Sequence, residues 1–317
     1  MLTRREYLKA TAGAATLTLN PGWLSAQQDA VITRPIPATG ERLPVIGCGS
    51  SGVNFGRLSR EGNVERLSEA LRTMFEAGGT VFDTSPSYGG GTVEAVAGEA
   101  IRELGFEDRI FWATKLNAAG PGESVADPAE ARAQAETSFE PLGEQRIDLS
   151  QVEGLADMAT QFHILRELKD EGRLRYIGAT STSVAQYEAL EVYMRNEPLD
   201  FIGLEYSVDS RSAEDRILRV AQDRGIAVMA YAPFGRRRLF LRVRGREVPE
   251  WAAEFGVRTW AQFFLKFAAS HPAVTAVTPS TSDPEHMLDN MAAARGRLPD
   301  DAERARMIEM VDALPGA

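Results

Sequence analysis

The chain has 317 residues, a formal net charge of −10 at pH 7, three histidines and one cysteine. One cysteine cannot close an intramolecular disulfide or hold an iron–sulfur cluster, so disulfide-stapled domains and thiolate-rich metal carriers are excluded. The acidic balance disfavours contact with a phosphate backbone, so we expect no nucleic-acid partner.

The N-terminal segment is interpreted as an export address rather than as part of the fold. Residues 3–9, TRREYLK, resemble a twin-arginine signal, and the weakly apolar stretch that follows is too short to span a bilayer as a helix. Ser25 and Ala26 offer a cleavage site before Gln27; the alternative is a cytoplasmic amphipathic tail. We expect residues 1–26 to be a signal peptide. The precursor would meet the twin-arginine (Tat) translocase in the cytoplasm, and the mature protein would be periplasmic without a membrane anchor.

From Leu43 onward, strand-like and helix-like segments alternate at the spacing of βα units. Eight strands are predicted, at residues 43–47, 80–84, 110–115, 147–153, 174–179, 199–206, 226–231 and 273–278. Helical patterns lie between or after them at residues 64–77, 93–104, 128–142, 161–171, 184–195, 213–223, 257–270 and 284–294. Eight strands is the number that closes a parallel barrel.

These elements predict a fold of the α/β class, a (β/α)8 TIM barrel over residues 30–317. Residues 31–44 lead into the first predicted strand and carry turn residues at Thr39 and Gly40, which predicts a β-hairpin that plugs the barrel floor. An extra helix is expected near the C-terminus. No internal linker or break in composition divides the chain, so we predict a single domain.

Polar side chains stand at the carboxyl ends of three neighbouring predicted strands, where barrel enzymes hold their reacting groups. The second strand ends near Asp83, and Tyr88 follows in the next loop. The third strand ends at Lys115 and the fourth at Glu153. A lysine ammonium can lower the pKa of a phenol, and an aspartate can keep that lysine charged and oriented. These residues predict a proton-donor site; a buried structural Lys–Asp ion pair is the alternative.

Several segments of the chain resemble the aldo-keto reductase superfamily and occur in that family's order. They are RPIPATGERLPVIGCG, VFDTSPSYGGG, WATKL, DLSQVEGLAD, LKDEGRLRYIGATS, LEYSVDSR, VMAYAPFG and TPSTSDPEHMLDN, spread over residues 31–294. The resemblance implies an oxidoreductase with a (β/α)8 barrel that binds a nicotinamide cofactor at its carboxyl face. That family does not use a glycine-rich Rossmann loop, and the sequence has none.

The resemblance also implies a role for each residue of the predicted site. Tyr88 corresponds to the general acid, Lys115 to the residue that lowers its pKa, and Asp83 to the partner of Lys115. Hydride would attack a carbonyl carbon while Tyr88 protonates the oxygen. Tyr231 matches a ring that stacks beneath the nicotinamide, with a plain core aromatic as the alternative. The implied cofactor-binding residues are Thr180, Ser181, Tyr231, Pro233, Gly235, Arg236, Pro279, Ser280, Thr281, Ser282, His286, Asp289 and Asn290.

Glu153 occupies the position at which the family has its catalytic histidine. Steroid 5-beta-reductases, in the same superfamily, also carry glutamate there and reduce a carbon–carbon double bond conjugated to a ketone. A protonated Glu153 would donate a hydrogen bond to an enone oxygen beside Tyr88, which favours double-bond reduction in addition to carbonyl reduction. The alternative is a site whose activity has drifted, leaving a catalytically weak nicotinamide-binding protein with a sensing or partner-binding role.

Two further departures concern the cofactor. Where the family holds the nicotinamide amide with Ser, Asn and Gln, this chain has Thr180, Ser181 and Gly203. Ser282 stands where the family commonly has an arginine that binds the 2′-phosphate of NADPH, so the cofactor is NADP by resemblance and NAD stays open. Six arginines between residues 236 and 246 follow the seventh strand, where the family clamps the pyrophosphate; a solvated basic loop is the alternative.

The histidines and the cysteine predict no metal site. His163 and His271 are interpreted as surface or capping residues, and His286 as a contact to the adenosine. Cys48 is interpreted as a small core residue, since no histidine is placed to activate it. We expect a small-molecule substrate that the sequence does not identify. Because free NADPH is not expected in the periplasm, the cofactor would either stay bound and be recycled or be served by an electron-supplying partner.

Overall fold

The computed structural model describes residues 30–51, 53–61, 63–119, 125–142 and 146–315. The predicted signal peptide lies outside these residues. The described chain begins with an antiparallel pair, β1 (Thr33–Pro35) and β2 (Arg42–Pro44). Eight parallel strands follow in one sheet, each beside the next: β3 (Cys48–Gly49), β4 (Val81–Asp83), β5 (Phe111–Leu116), β6 (Ile147–Glu153), β7 (Leu174–Ser181), β8 (Phe201–Glu205), β9 (Ala227–Tyr231) and β10 (Val274–Val277). Bridges from Ile46 to Val277 and from Gly49 to Ser280 bring the two edges together, which confirms the predicted (β/α)8 barrel.

Helices lie between the strands and after the last one. They are α1 (Val53–Arg60), α2 (Val64–Glu76), α3 (Val93–Leu104), α4 (Pro128–Thr137), α5 (Met158–Asp170), α6 (Tyr187–Asn196), α7 (Ile217–Arg224), α8 (Arg238–Arg242), α9 (Trp260–Ser270), α10 (Pro284–Ala292) and α11 (Asp301–Asp312). Asp127 caps the N-terminus of α4, while Gly105 and Gly225 end α3 and α7 in the left-handed conformation that glycine adopts at little cost. Helix α11 begins with a capping box between Asp300 and Glu303 and confirms the expected extra helix.

The hairpin of β1 and β2 closes one end of the barrel. Ile36 and Leu43 are buried and belong to the same apolar cluster as Phe111, Phe201 and Met229, whose side chains fill the barrel interior. The predicted hairpin and its place at the barrel floor are therefore confirmed. Since this end is filled, the polar strand ends lie at the opposite, carboxyl face.

The prediction of a first barrel strand at residues 43–47 is wrong. Residues 42–44 pair with β1 instead, and the first barrel strand is β3, only two residues long. The apolar run from Leu43 to Ile46 begins in the hairpin strand β2 and continues toward the barrel strand β3. Hydrophobicity alone therefore did not show where the hairpin ends and the barrel begins. The helix predicted at 128–142 also divides: α4 ends at Thr137, and Pro141, which lacks an N–H donor, lies in a separate short turn of 3₁₀ helix.

A second apolar layer lies between the strands and the helices. The Trp112 and Phe82 rings on neighbouring strands are 5.1 Å apart between centroids, and helix α9 contributes Phe263, Phe264 and Phe267, all fully buried. Each such ring contributes roughly 2–3 kcal/mol by its burial, which holds the strands in register. Among the described residues, no helix is long and apolar enough to cross a membrane.

Candidate active site

A buried ion pair between Asp83 and Lys115 forms the base of the site. Asp83 is the last residue of β4, and Lys115 lies near the end of the neighbouring β5. Lys115 Nζ is 2.8 Å from Asp83 Oδ1 and donates to the carbonyl oxygen of Thr84 at 2.7 Å. Burial alone would lower the pKa of Lys115, but the neighbouring charge of Asp83 and the phenols raise it well above its ordinary value. Lys115 therefore keeps its proton.

Tyr88 lies above this pair. Its phenyl ring centroid is 5.2 Å from Lys115 Nζ. Three consecutive glycines follow it, Gly89, Gly90 and Gly91, with φ of 62°, 74° and 90°, so the chain turns sharply where a side chain would be strained. Burial raises the pKa of Tyr88, and the charge of Lys115 opposes that rise. Tyr88 is thus protonated at neutral pH beside a cation that favours release of its proton.

Tyr231, the last residue of β9, reaches the same ion pair from across the barrel. Its hydroxyl group donates to Asp83 Oδ2 at 3.1 Å and accepts from Gln151 Nε2 at 2.9 Å. The Tyr231 ring centroid is also 5.2 Å from Lys115 Nζ, so the ammonium has a phenol ring of each tyrosine within cation–π distance. Burial and the charge of Asp83 raise the pKa of Tyr231 well above its ordinary value.

Glu153, the last residue of β6, is half-buried at the edge of this group. Ser85 Oγ donates to Glu153 Oε2 at 3.3 Å and is 3.0 Å from Ser87 Oγ. The negative charge of Glu153 raises the pKa of both Tyr88 and Lys115. The structure therefore brings together all four predicted catalytic residues. Ser85, Gln151 and the hydroxyl contacts of Tyr231 were missed, although Ser85 lies in the same segment as Asp83 and Tyr88.

The residues expected to hold the nicotinamide end lie at the close of β7. Thr180 is the register partner of Glu153, which places it next to the catalytic group. Ser181 Oγ donates to Gln186 Oε1 at 2.6 Å, and Gln186 Nε2 donates to the carbonyl oxygen of Gly154 at 2.8 Å. Ser181 is therefore part of a polar network that ties the loops after β6 and β7 together.

The loop after β9 contains Pro233 and adopts an unusual backbone. Ala232, Gly235, Arg236 and Arg237 all have positive φ, at 49°, 55°, 52° and 78°. Three of these are not glycine, so the conformation costs on the order of 1–3 kcal/mol for each such residue and must be held by its surroundings. Such strain is typical of ligand-binding loops.

The arginines of this loop divide into two kinds. Arg238 pairs with Asp209 at 2.8 Å, and Arg242 Nη2 donates to the carbonyl oxygens of Val311 and Leu314 near the end of the chain. Arg236 is two-thirds exposed, with its guanidinium 3.4 Å from Glu205 Oε2 and 3.4 Å from Thr182 Oγ1. Arg236 is thus a cation at the barrel mouth, while Arg238 and Arg242 fix the loop.

The segment after β10 holds the residues expected to bind the adenosine end. Asp283 caps α10 by accepting from the backbone N–H groups of Glu285 and His286, and it pairs with Arg66 at 3.2 Å. Asp289 Oδ1 accepts a hydrogen bond from Gln262 Nε2 of α9 at 2.7 Å, and Asp289 Oδ2 accepts one from Oγ1 of Thr259, the N-cap of α9, at 2.8 Å. Both carboxylate oxygens of Asp289 therefore hold α10 against α9. The other expected residues, Pro279, Ser280, Thr281, Ser282 and Asn290, lie between β10 and the C-terminal half of α10.

His163, His271 and Cys48 lie where the sequence places them, and the adenosine contact of His286 stays a prediction. His163 is exposed on α5 beside Glu167, and His271 follows α9 as its C-cap. Cys48 is fully buried, and burial raises the pKa of its thiol to about 12. Among the described residues, no group of three or more His, Cys, Asp or Glu side chains is arranged to hold a metal ion.

A tyrosine thus lies above a buried Lys–Asp pair at the carboxyl end of a (β/α)8 barrel. The sequence model of the aldo/keto reductase family matches residues 45–310, and the chain belongs to that family. It is 30% identical over 203 residues to aldo-keto reductase YhdN of Bacillus subtilis, a match that covers 62% of this chain and 60% of the relative. The match therefore spans less than two thirds of that relative's length.

Solved structures share the fold. Aldo-keto reductase AKR11C1 from Bacillus halodurans, in its holo form, has a TM-score of 0.71 at 21% identity, with 89% of this chain and 96% of that chain covered. An aldo-keto reductase from Klebsiella pneumoniae in complex with NADPH has a TM-score of 0.73 at 23% identity, with 89% and 95% covered. The glycerol dehydrogenase AKR11B4 from Gluconobacter oxydans has a TM-score of 0.69 at 21% identity, with 89% and 95% covered.

Proposed function

We propose that this protein reduces a carbonyl group of a small organic compound with a nicotinamide cofactor, and that Tyr88 is the proton donor. The observation that carries the proposal is the position of Lys115 Nζ, 2.8 Å from Asp83 Oδ1 and 5.2 Å from the Tyr88 ring centroid in a buried setting. When bound, the reduced nicotinamide supplies the hydride. The carbonyl carbon gains that hydride, the oxygen gains the proton of Tyr88, and solvent restores the proton to the phenolate.

Lys115 and Asp83 have different roles in the transfer of that proton. Lys115 stabilises the phenolate that develops on Tyr88, because its positive charge is already in place when the proton leaves. Asp83 holds the ammonium in position and keeps it charged. A prepositioned proton donor contributes about 10²- to 10⁴-fold to a reaction rate.

Several residues at the barrel mouth fit the extended cofactor that the family implies. Arg236 places an exposed guanidinium on a strained loop at the barrel mouth. A guanidinium group pairs well with the negative charges of a pyrophosphate. Thr180 and Ser181 would hold the nicotinamide amide, and residues 279–282 and Asn290 the adenosine end. The NADPH complex of the Klebsiella pneumoniae protein supports NADP for this chain as well.

The choice between NADP and NAD depends on the segment after β10. Ser282 offers a neutral hydroxyl group for a 2′-phosphate, and Asp283 beside it carries a negative charge. That charge is shared with Arg66, 3.2 Å away on α2, so the local field is less repulsive than Asp283 alone would make it. Titration of NADPH and NADH against intrinsic fluorescence measures the preference. Tight NADPH binding without NADH binding would contradict the inference that Ser282, in place of an arginine, lets the protein accept NAD.

The second candidate reaction is reduction of an enone double bond, and it depends on Glu153. Ser85 and Ser87 place hydroxyl groups next to this carboxyl group, so a substrate oxygen near Tyr88 would meet a polar wall. We expect E153H to lower the enone rate relative to the aldehyde rate. Equal effects on both substrates would refute a special role for Glu153 in double-bond chemistry.

The test of the proposed function is single-turnover oxidation of bound NADPH or NADH with a panel of aldehydes and enones. We expect Y88F to slow the hydride step by about 10²-fold or more while the cofactor still binds. Y176F is the matched control, because the Tyr176 hydroxyl group bonds to Glu41 in the hairpin at the barrel floor. Cofactor binding without turnover on any substrate would instead support the sensing or partner-binding role.

We further propose that the protein is exported folded, with its cofactor, through the twin-arginine pathway. The support is residues 3–9, with the adjacent Arg4 and Arg5. Cell fractionation of the R4K/R5K variant against the natural chain tests this. We expect the natural chain in the periplasm, with Gln27 as its first residue, and the variant in the cytoplasm. Equal distribution of the two chains would refute it. An electron-supplying partner would be found by recycling of bound cofactor in periplasmic extract.

A further inference from the structure

Gly203 and Tyr231 are fitted to each other across neighbouring strands. Gly203 lies in the middle of β8, and a Cβ added there would come within 2.3 Å of Tyr231 Cε2 and 2.7 Å of its hydroxyl oxygen. Real Cβ atoms do not approach other atoms so closely, and all three of the nearest atoms belong to the Tyr231 side chain. The missing side chain at residue 203 is therefore what allows the Tyr231 ring to lie inside the barrel.

The hydrogen bonds of Tyr231 have a definite direction. Gln151 Nε2 donates to the hydroxyl oxygen, so the hydroxyl proton is directed to Asp83 Oδ2. The other oxygen of Asp83 accepts from Lys115 Nζ. Both carboxylate oxygens of a buried aspartate are thus engaged, one by a donor from β5, which pairs directly with β4, and one by a donor from β9, which lies across the barrel.

We propose that Tyr231 is a positioning residue of the proton-donor group, and that Gly203 is the residue that permits this role. Tyr231 acts through Asp83, which it keeps ionised and oriented toward Lys115, and Lys115 in turn acts on Tyr88. This inference rests on the proposed function, since it concerns the same proton transfer. It differs from a stacking role, because here the hydroxyl group and not only the ring is required.

The first experiment tests the fit of Gly203 and Tyr231 without any activity. We expect G203A to lower the melting temperature by about 5 °C or more, because the added methyl group overlaps the Tyr231 ring. The same change in a Y231A background should cost nothing further, since the overlapping atoms are gone. G178A is the matched control on the adjoining strand. Its Cβ would lie 2.3 Å from the backbone oxygen of Phe201, so its cost should be equal in both backgrounds.

Two results of this experiment would overturn the fit. One is a G203A penalty that persists unchanged in Y231A; the other is a G203A protein as stable as the natural chain. If G203A does not fold at all, recovery of folded protein in G203A/Y231A supports the fit, and failure to recover it contradicts the fit.

The second experiment measures the role in catalysis by single turnover with cofactor already bound. We expect Y231F, which keeps the ring, to slow the hydride step by about ten- to a hundredfold with less than about threefold change in cofactor affinity. Y176F again serves as the control, because it removes a buried phenol hydroxyl group at the other end of the barrel. An unchanged rate at saturation in Y231F would show that only the ring of Tyr231 is needed, as stacking requires, and would overturn the proposal.

The pH profile adds a readout that a purely structural role would not move. The titratable groups that interact with Asp83 are Lys115 on β5, Tyr231 on β9, Tyr88 in the loop after β4 and Cys48 on β3. Loss of the Tyr231 hydrogen bond removes one contact that favours the ionised form of Asp83, so the acidic limb of the rate profile should move to higher pH in Y231F. An unmoved limb would contradict the proposal. If the natural chain turns over no substrate, the proposed function fails, while the stability experiment still decides the fit.

Discussion

Replacing Lys115 with methionine should expose how much the fold depends on its buried charge. The variant keeps a side chain of similar length but leaves Asp83, 3% exposed, without the ammonium group that now lies 2.8 Å away. Removing one partner of a buried ion pair costs about 3–5 kcal/mol, because the remaining charge is neither hydrated nor paired. The Tyr231 hydrogen bond at 3.1 Å offsets only part of this cost.

The loss in K115M should depend on pH, with a sign that the structure determines. Burial already raises the pKa of Asp83, and Lys115 is the strongest opposing influence, so K115M raises that pKa further. The folded form then holds a proton that the unfolded chain releases above about pH 4. Stability of K115M should therefore be greatest at acid pH and fall as the pH rises toward neutrality.

Urea unfolding of K115M, the natural chain and two controls at pH 4.5 and pH 7.5 measures this effect. We expect a deficit of about 3 kcal/mol or more at pH 7.5 and a much smaller one at pH 4.5. The double variant D83N/K115M should lose most of the pH dependence. K169M removes a partly exposed ion pair with Asp200 and should cost about 1 kcal/mol or less. A K115M protein as stable as the natural chain at pH 7.5 would refute the reasoning.

Three other groups give predictions that do not involve turnover. Burial lowers the pKa of His271 to about 4, below its unfolded value, so this group adds stability that is lost as the pH falls from about 6.5 to 4. H271N should flatten that part of the stability profile. Cys48 should resist alkylation at pH 8 in the folded protein and react fully in urea, since its thiol pKa is about 12; rapid native labelling would contradict its burial. D289A should lower the melting temperature, because Gln262 loses its hydrogen-bond partner, and should change cofactor affinity by less than about threefold. An unchanged melting temperature with weaker cofactor binding would contradict the assignment of Asp289 to helix packing.

The four residues of the candidate site could be located from the sequence because each lies at or just after the end of one strand. Asp83, Lys115 and Glu153 are polar residues at or next to the ends of strand-like runs, and parallel strands place such residues on one face of a barrel. Tyr88 followed from its place in the loop next to Asp83. The alternating pattern of strands and helices was sufficient for these four, with no knowledge of how the strands pack.

Contacts between strands distant in sequence could not be predicted in this way. The hydrogen bond between Tyr231 and Asp83 joins residues 148 positions apart, and it exists only because Gly203 leaves space. For Asp289 the sequence predicted cofactor binding, because the residue lies in a segment that resembles the adenosine-binding segment of the family. In the structure its carboxylate oxygens instead bond to α9 and its N-cap. The first barrel strand was misplaced because one apolar run serves both a hairpin and a barrel entry.

The attachment of Arg242 to the end of the chain has a consequence for how the protein exchanges small molecules. Its side chain, only 12% exposed, joins the segment after β9 to the carbonyl oxygens of Val311, in the last turn of α11, and of Leu314, just after it. Opening of that segment would therefore require the last turns of the polypeptide to detach or to travel with it. We expect the C-terminus to act as a latch that slows departure of whatever the Arg236 loop holds.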